Sequence, residues 1–274
     1  MQLPHPTERR EVDQSYLPER AQVVGVPLAI ADYASVVAWA LATIAARSRA
    51  TLSAAAVNLV MSAHEQPEVA AALAQTTLIV PDGQPLVWAL HLLGHRSATR
   101  VYGPELMARI CTRAAAEAIP IYLYGGRDER ALRLLCARLA ERHPGLAIAG
   151  SHSPPFRPLS TEEEAQVAEH INASGAQIVF VGIGQPKQEL WMAAMRARLA
   201  PPLLCGVGAA FDFHAGIIRQ APPWLGAHGL EWAWRLAIEP RRLWRRYARY
   251  NPRFVIAFAR QLAAQRAARR PRRV

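Results

Sequence analysis

An aspartate just past a short apolar segment is the first residue suited to proton transfer. The turn Val80-Pro81-Asp82-Gly83 places a carboxylate at a strand exit, beside a glycine that lets another backbone approach closely. A carboxylate in this position could accept a proton from a hydroxyl nucleophile. The alternative is an Asx-type turn, in which Asp82 bonds its own backbone while proline and glycine shape the bend. Taken alone, the turn favours that second interpretation.

The densest group of polar residues follows another strand, in the segment Gly182-Ile183-Gly184-Gln185-Pro186-Lys187-Gln188-Glu189. Lys187 falls in the first turn of a helix, where a cation opposes the positive end of the helix dipole. A nearby phosphate would remove that conflict, so the segment favours a binding site over an ordinary capped helix start. A dinucleotide-binding GxGxxG motif is absent, because its third glycine would fall at Lys187.

Two further turns carry weaker indications. Gly125 and Gly126 run from a strand into a helix, an arrangement that presents backbone N–H groups to a phosphate but also arises from packing alone. Asp212 lies between two phenylalanines after the last strand, and a buried carboxylate needs partners. It could orient an active site or cap the following turn, and the sequence leaves both open.

The scaffold that must position these turns has an alternating pattern. Short apolar runs predict strands near residues 23–30, 50–55, 78–80, 120–124, 146–149, 178–182 and 203–207, with amphipathic helices between them. Asp32 is a predicted N-cap, and Thr161 with Glu164 a predicted capping box. The alternation predicts an α/β, Rossmann-like, mostly parallel sheet with helices on both faces. Ligands bind such sheets at the carboxyl ends of the strands, where the four turns lie.

The positive charge is concentrated at the C-terminal end. Residues 235–274 hold 13 arginines and one acidic residue, a charge of +12, whereas the whole chain carries +11. The body is therefore nearly neutral, and the basic end favours a nucleic acid or anionic lipid as partner. Arginines alternate there with aromatic residues, and Asn251-Pro252 is predicted to interrupt the segment. The pattern is typical of a helix lying in a membrane interface; the alternative is a solvated face packed on the body by its aromatic residues.

We predict three parts: a flexible arm at residues 1–21, a core at 22–228 and a basic, aromatic-rich membrane-association appendage at 229–274. The polar start of the chain predicts no signal peptide. The apolar run at 34–46 is shorter than the roughly 20 residues that span a bilayer. The three cysteines are far apart in the sequence, which suits a reducing cytoplasm.

The sequence offers few residues for a metal or a cofactor. It has no Walker loop, HExxH, GxSxG or DxD motif. His91 and His95 have helical ligand spacing but no obvious third ligand, so we expect them to be structural. We predict that the protein uses no metal and no cofactor.

Taken together, the motifs resemble the WecG/TagA/CpsF glycosyltransferase family. The matching segments lie, in order and at the family's spacing, at residues 81–83, 100–107, 123–126, 182–189, 206–213 and 229–247. The resemblance covers about residues 22–258 and implies an inverting, metal-independent hexosyltransferase. It implies a UDP-sugar donor and an acceptor sugar on undecaprenyl diphosphate, used in cell-surface polysaccharide assembly at the inner face of the cell membrane.

The resemblance also implies roles for particular residues. It makes Asp82 the general base and places Arg100 and Gln188 in the substrate site. The other residues that we predict to bind substrate are Lys187, Glu189, Gly125, Gly126, Gly182, Gly184 and Asp212. Those predicted to contact the membrane or complete the active site are Arg241, Arg242, Arg245 and Arg246.

One segment departs from the family pattern. Upstream of the PDG turn the family carries polar residues of a TxN type, whereas this chain has Ala54 and Ala56. Either the sugar specificity differs, or Ser53 or Asn58 substitutes, or activity is reduced. A catalytically weakened relative that binds lipid intermediates is therefore one alternative, and a basic nucleic-acid-binding protein is another, although we expect no nucleic acid partner. The motifs do not determine the two sugars, the linkage or whether the chain forms a homo-oligomer.

Overall fold

A computed structural model describes residues 17–222, Leu225 and residues 231–269. The strands are β1 (Arg20–Val23), β2 (Val26–Ala29), β3 (Ala50–Ala55), β4 (Leu78–Pro81), β5 (Ile121–Gly125), β6 (Ile148–His152), β7 (Ile178–Gly182) and β8 (Leu203–Gly206). Six of them form a sheet in the order β4-β3-β8-β7-β5-β6, and every neighbouring pair is parallel. The predicted α/β, Rossmann-like class is confirmed.

Helices alternate with the strands along the chain, and the last helices follow the final strand. They are α1 (Tyr33–Ala45), α2 (Val57–Glu65), α3 (Pro67–Ala74), α4 (Gln84–Leu92), α5 (Gly103–Ala116), α6 (Glu129–Arg142), α7 (Thr161–Ala173), α8 (Lys187–Met195), α9 (Ala210–His214), α10 (Glu231–Ile238) and α11 (Pro240–Arg269). Both sheet faces are buried, because Leu123 and Phe180 join one apolar cluster while Tyr122 and Val179 join another. Burial on both faces explains why the central strands β5, β7 and β8 are largely apolar runs.

The predicted single strand at 23–30 is wrong, because the segment is a hairpin. β1 and β2 pair in antiparallel register with Val23 opposite Val26. The two residues between them, Val24 and Gly25, have φ values of 50° and 82°. Positive φ at both central positions is what a two-residue hairpin turn of type I′ requires. The glycine was the local sign of this turn.

Two predicted helix starts have different outcomes. Asp32 caps α1 as predicted, accepting a hydrogen bond of 2.8 Å from the Ser35 N–H. The capping box predicted at Thr161 and Glu164 is wrong by one position: Ser160 is the N-cap and Glu163 completes the box. Both registers fit the S/T-x-x-E pattern. The register seen here also lets Glu163 pair with Arg157 at the end of the preceding loop.

The C-terminal segment is packed on the body rather than separate from it. Phe254 and Phe258 are buried with α2 and the β1–β2 hairpin in one cluster. Gln261 accepts a hydrogen bond of 2.7 Å from Val24 N–H and donates one of 2.6 Å to the Gln22 carbonyl. These contacts join the predicted appendage to the predicted core.

The predicted interruption at Asn251-Pro252 is wrong, because α11 runs through Pro252. Proline inside a helix removes a hydrogen bond and costs about 3 kcal/mol. The buried Phe254 and Phe258 lie just beyond it and offset that cost by holding the helix against the body. In the described part of the chain, no helix combines the length and the apolarity that crossing a bilayer requires. Most of the predicted arm, residues 1–16, lies outside the described residues, and β1 already begins at Arg20.

Candidate functional site

The four turns singled out in the sequence border one cavity of about 710 Å³ at the carboxyl ends of the strands. Asp82 follows β4, Gly126 follows β5, Gly182 ends β7, and Asp212 lies on α9 just after β8. These positions are scattered over 130 residues of sequence. The parallel sheet brings them together because each follows the same end of its strand.

Asp82 is the acid at the β4 end of the cavity. Its backbone N–H donates 2.8 Å to the Ala55 carbonyl, which ties the turn to β3. One carboxylate oxygen lies 3.5 Å from Nη2 of Arg100. Burial raises the pKa of Asp82 to about 6, and the Arg100 charge only partly opposes that effect. The contacts of the carboxylate thus differ from those of an Asx turn, in which it would bond its own turn.

Arg100 lies behind Asp82 and does not line the cavity. Its guanidinium donates 2.8 Å to Glu231, its Nε donates to the Asp82 carbonyl, and it stacks 4.4 Å over the Tyr102 ring. The structure therefore brings Arg100 to the acid rather than onto the cavity surface. Its direct contact with substrate stays a prediction.

The glycines have two different functions. A Cβ on Gly125 would lie 2.6 Å from the Gly182 backbone, and a Cβ on Gly182 would lie 2.6 Å from the Phe211 ring. These two residues let β5, β7 and α9 approach closely. Gly126 and Gly184 line the cavity with φ of 94° and 84°, and a Cβ on Gly184 would meet nothing within 4 Å. Gly184 thus leaves open space where a ligand could approach the backbone.

The first turn of α8 divides its polar residues between cavity and interior. Lys187 is exposed and lines the cavity, as a phosphate-binding residue would. Gln188 and Glu189 are 0% and 1% exposed and lie beneath the lining. The Glu189 Oε1 accepts hydrogen bonds of 2.6 Å from Ser53 and 2.8 Å from Gln188. The structure therefore places Gln188 and Glu189 as supports between α8 and β3.

Burial raises the pKa of Glu189 to about 7, although both hydrogen bonds act in the opposite direction. Its second oxygen, Oε2, has no hydrogen-bond partner among the described residues. A buried carboxylate without full pairing favours its protonated form. Glu189 is thus a second acid with a raised pKa, but one below the cavity surface.

Asp212, which also lines the cavity, belongs to a group of ion pairs. Arg127 donates 2.9 Å to the Asp212 carboxylate and lies 3.8 Å from Glu239. Arg235 lies 4.0 Å from Glu239 and stacks 5.3 Å over Phe213. The sequence left two roles open for Asp212, orienting an active site or capping a turn. Its ion pair with Arg127 fits the first of these roles. Arg127 was missed in the sequence, although its place directly after Gly125-Gly126 was a usable sign.

The C-terminal arginines differ in where they lie. Arg246 lines the cavity, together with Arg235 of α10. Arg241 and Arg245 are exposed and lie away from the lining, and the side chain of Arg242 lies outside the described residues. Arg235 and Arg246 are therefore the arginines of this segment that contribute to the cavity wall.

The two alanines of the departing segment face the cavity. Ala54 and Ala56 line it, and so does Asn58. Ser53 points to the other side of β3, where it bonds Glu189. Of the two residues considered as substitutes, only Asn58 has access to a ligand.

The far wall was not anticipated from the sequence. The segment 154–159 lines the cavity, and its Phe156 is 86% exposed. Beside it Trp191 stacks on Tyr124 with ring centroids 4.1 Å apart, and Tyr124 stacks on His152. The sequence indicated only a Pro/Ser-rich loop here, because the alternation of strands and helices carries no information about loop direction. An aromatic wall suits a flat or ring-shaped ligand.

In the described ranges, no group of three or more His, Cys, Asp or Glu side chains is placed to hold a metal ion. Several charged residues of the cavity form ion pairs across neighbouring elements, as Arg127 does with Asp212. The arrangement offers one acid positioned for proton transfer and a rim of cations suited to an anionic ligand.

Comparison with known families agrees with this arrangement. The pattern of the family described as "Glycosyl transferase WecG/TagA/CpsF family" matches residues 21–268 of the chain. The match extends over the sheet, the cavity and nearly all of α11. With a partly buried acid and a cationic rim already located at one sheet edge, a match of this extent shows that the chain belongs to the WecG/TagA/CpsF family of glycosyl transferases.

Proposed function

We propose that this glycosyltransferase moves a sugar from a UDP-sugar to a sugar carried on undecaprenyl diphosphate, as a step of cell-surface polysaccharide assembly. The observation that carries the proposal is the position of Asp82. Its carboxylate borders the same cavity as Gly184 and Lys187, and its pKa is raised to about 6. A base with a pKa close to the working pH transfers protons most effectively.

The proposed reaction is a single displacement with inversion. Asp82 accepts the proton of the acceptor hydroxyl while that oxygen forms a bond to the donor's anomeric carbon. The bond from this carbon to the UDP oxygen breaks, and its electron pair leaves with the diphosphate. Asp82 then releases its proton to solvent. The step needs no metal for its balance of atoms and charges.

Cations on the cavity surface support a diphosphate leaving group. Five of them line it: Arg127, Arg157, Lys187, Arg235 and Arg246. Three acids, Asp82, Glu164 and Asp212, share the lining, and Asp212 is paired with Arg127. Preorganised cations stabilise charge that develops on a leaving group. Lys187 at the start of α8 is the cation best placed to receive a phosphate beside Gly184.

The exposed side of α11 supports binding to an anionic membrane from the cytoplasmic side. Its Trp244, Val255 and Ile256 are 52%, 64% and 54% exposed and lie among arginines. Such a surface suits insertion of apolar groups between charged lipid headgroups. The same segment carries Arg246 into the cavity lining. Membrane contact and access to a lipid-linked acceptor would thus involve one helix.

The test is a panel of UDP-sugars with a short-chain lipid-diphosphate sugar acceptor, followed by UDP release. We expect one donor to give acceptor-dependent release and a product of inverted anomeric configuration. No release with any donor, together with retained UDP binding, would instead support the weakened relative that Ala54 and Ala56 suggest. Product of retained configuration would contradict the single displacement.

A further inference from the structure

The first residue of α10, Glu231, reaches the acid at the end of β4 through Arg100. Arg100 Nη1 donates to Glu231 Oε2 at 2.8 Å, while Arg100 Nη2 is 3.5 Å from Asp82 Oδ1. The shorter, better-aligned pair is therefore the one with Glu231. Glu231 is only 8% exposed, so water does little to weaken the attraction.

Two other contacts fix the plane of the guanidinium. Its Nε donates to the Asp82 carbonyl, and its carbon lies 4.4 Å over the Tyr102 ring. Because Nε and one face of the guanidinium are already in contact with other groups, only the two terminal nitrogens, Nη1 and Nη2, are available to pair with the carboxylates. One goes to Glu231 and the other stays at longer range from Asp82. The Asp82 carboxylate thereby keeps only part of the stabilisation that a bidentate arginine would give.

We propose that Glu231 is a positioning residue for the transfer reaction: by holding Arg100 it keeps the Asp82 carboxylate incompletely paired and able to accept a proton. The inference rests on the proposed role of Asp82 as the general base. It goes further by giving α10, which precedes the membrane-facing α11, a direct effect on the reacting acid.

The other groups around Asp82 do not replace this effect. The charged or titratable side chains that face it are Arg100, Glu231, Arg235, Tyr33 and Tyr102. The Gly103 backbone also lowers the pKa of Asp82, and burial raises the pKa of both tyrosines, which keeps them neutral. Arg235 of α10 is a second cation, paired at 4.0 Å with Glu239, the residue that follows this helix. Glu231 is thus the only acid among the named neighbours of Asp82 in the described residues.

The direction of the effect can be worked out. Replacing Glu231 by glutamine removes a negative charge near Asp82 and releases a guanidinium nitrogen toward it. Both changes favour ionised Asp82 and lower its pKa. A base with a lower pKa stays ionised in more acidic solution but accepts a proton less readily in the transition state.

The test is the pH dependence of kcat/KM for wild-type protein and Glu231→Gln, with thermal unfolding measured in parallel. We expect the acidic limb of the variant to move about one pH unit lower, since a closer opposite charge shifts a carboxyl pKa by that order. We expect kcat on the plateau to fall by roughly tenfold. Glu231→Asp, which keeps the charge, should leave the acidic limb near the wild-type position, and it serves also if Glu231→Gln does not fold.

The matched control is Glu65→Gln. Glu65 on α2 pairs with two arginines of α11, Arg249 at 3.0 Å and Arg253 at 2.8 Å, but it does not touch Arg100. Its pH profile should match that of the wild type. An unmoved limb in Glu231→Gln, or a limb moved to higher pH, would overturn the inference even if activity falls. Retained activity in Asp82→Asn would instead overturn the proposed function, so the two failures are distinguishable.

Discussion

Asp82 and Arg100 lie 3.5 Å apart between carboxylate oxygen and Nη2, which is longer than a good charge-assisted hydrogen bond. The arginine donates instead to the Asp82 main-chain carbonyl and to Glu231. The pair is close enough to orient the acid and too long to hold it fully ionised. Burial raises the pKa of Asp82 to about 6, and Arg100 at this distance opposes that effect only in part.

The first prediction concerns the pH dependence of transfer. Asp82 must be ionised to accept a proton, and its pKa lies near 6. We therefore expect kcat/KM to fall about tenfold per unit as the pH drops below about 6, whereas an ordinary aspartate would sustain activity to about pH 4. Steady-state rates between pH 4.5 and 8.5 measure this. A constant kcat/KM down to pH 4.5 would contradict the raised pKa.

The second prediction concerns the stability contribution of Glu189. Its pKa is raised from 4.5 to about 7, so the folded protein holds this proton more tightly than the unfolded chain does. Its contribution is fully present below about pH 4.5 and is lost as the pH rises through about 7. Above pH 8 the wild type buries a charged Glu189, which Glu189→Gln avoids. The variant should therefore have a free energy of unfolding higher than that of the wild type by on the order of 2 kcal/mol at these pH values.

Thermal unfolding at pH 5 and pH 8.5 measures this difference. Glu117→Gln is a suitable control, because Glu117 pairs with Arg113 on the exposed side of α5. The control should unfold like the wild type at both pH values. A Glu189→Gln variant that is less stable than wild type at pH 8.5 would contradict a strained, buried carboxylate.

The third prediction concerns the contact of Gly182 with Phe211. A Cβ at Gly182 would lie 2.6 Å from the Phe211 ring, closer than packing allows. Gly182→Ala should therefore lower stability by about 1–3 kcal/mol, as overpacking does. Adding Phe211→Leu should recover part of that loss, which a double-mutant cycle of unfolding free energies measures. Additive losses in the cycle would show that the two residues do not restrain each other.

The fourth prediction concerns the exposed face of α11. Trp244→Ala with Ile256→Ser should weaken binding to anionic vesicles at least tenfold, because each exposed apolar side chain contributes about 1.5 kcal/mol or more when fully buried. Leu134→Ser on α6, at a leucine that is 40% exposed, is the control and should bind normally. Vesicle flotation at two salt concentrations measures both. Equal binding by the double variant, or tighter binding to DNA than to vesicles at equal salt, would contradict membrane association.

Deletion of the C-terminal segment would be a poorer experiment. Phe254 and Phe258 share a cluster with α2 and the hairpin, so removing α11 would uncover the body as well as the exposed face. Loss of vesicle binding after truncation could then come from unfolding. Surface substitutions avoid this because Trp244 and Ile256 are exposed.

Much of the fold was predictable because burial on both faces leaves a strong pattern. Most strands of the parallel sheet are largely apolar runs, the half-buried edge strand β6 being the exception, and the turns after those runs had to meet at one edge. That is why Asp82, Gly184 and Lys187 could be assigned to one cavity from sequence. The hairpin at Val24-Gly25 was missed, because two β-strands joined by a two-residue turn look like one apolar run.

The features that the sequence did not predict depend on how a helix is rotated about its axis and on contacts between residues far apart in the chain. Three polar residues at the start of α8 could not reveal that Lys187 faces the cavity while Gln188 and Glu189 face inward. The pairing of Arg100 with Glu231 joins positions 131 residues apart, and no local pattern encodes such a partner. Continuation of α11 through Pro252 likewise depends on packing by Phe254, which overrides a local preference.

The most direct measurement is acceptor-dependent transfer by Asp82→Asn, compared with wild type at pH 7.5 in the same UDP-sugar assay. We expect kcat to fall about 10²–10⁴-fold, as loss of a general base does, with UDP affinity and folding retained. Folding should not suffer, because asparagine removes a partly buried charge whose pKa is already raised. Turnover within a fewfold of wild type would contradict the account, since no other described acid borders the cavity beside β4.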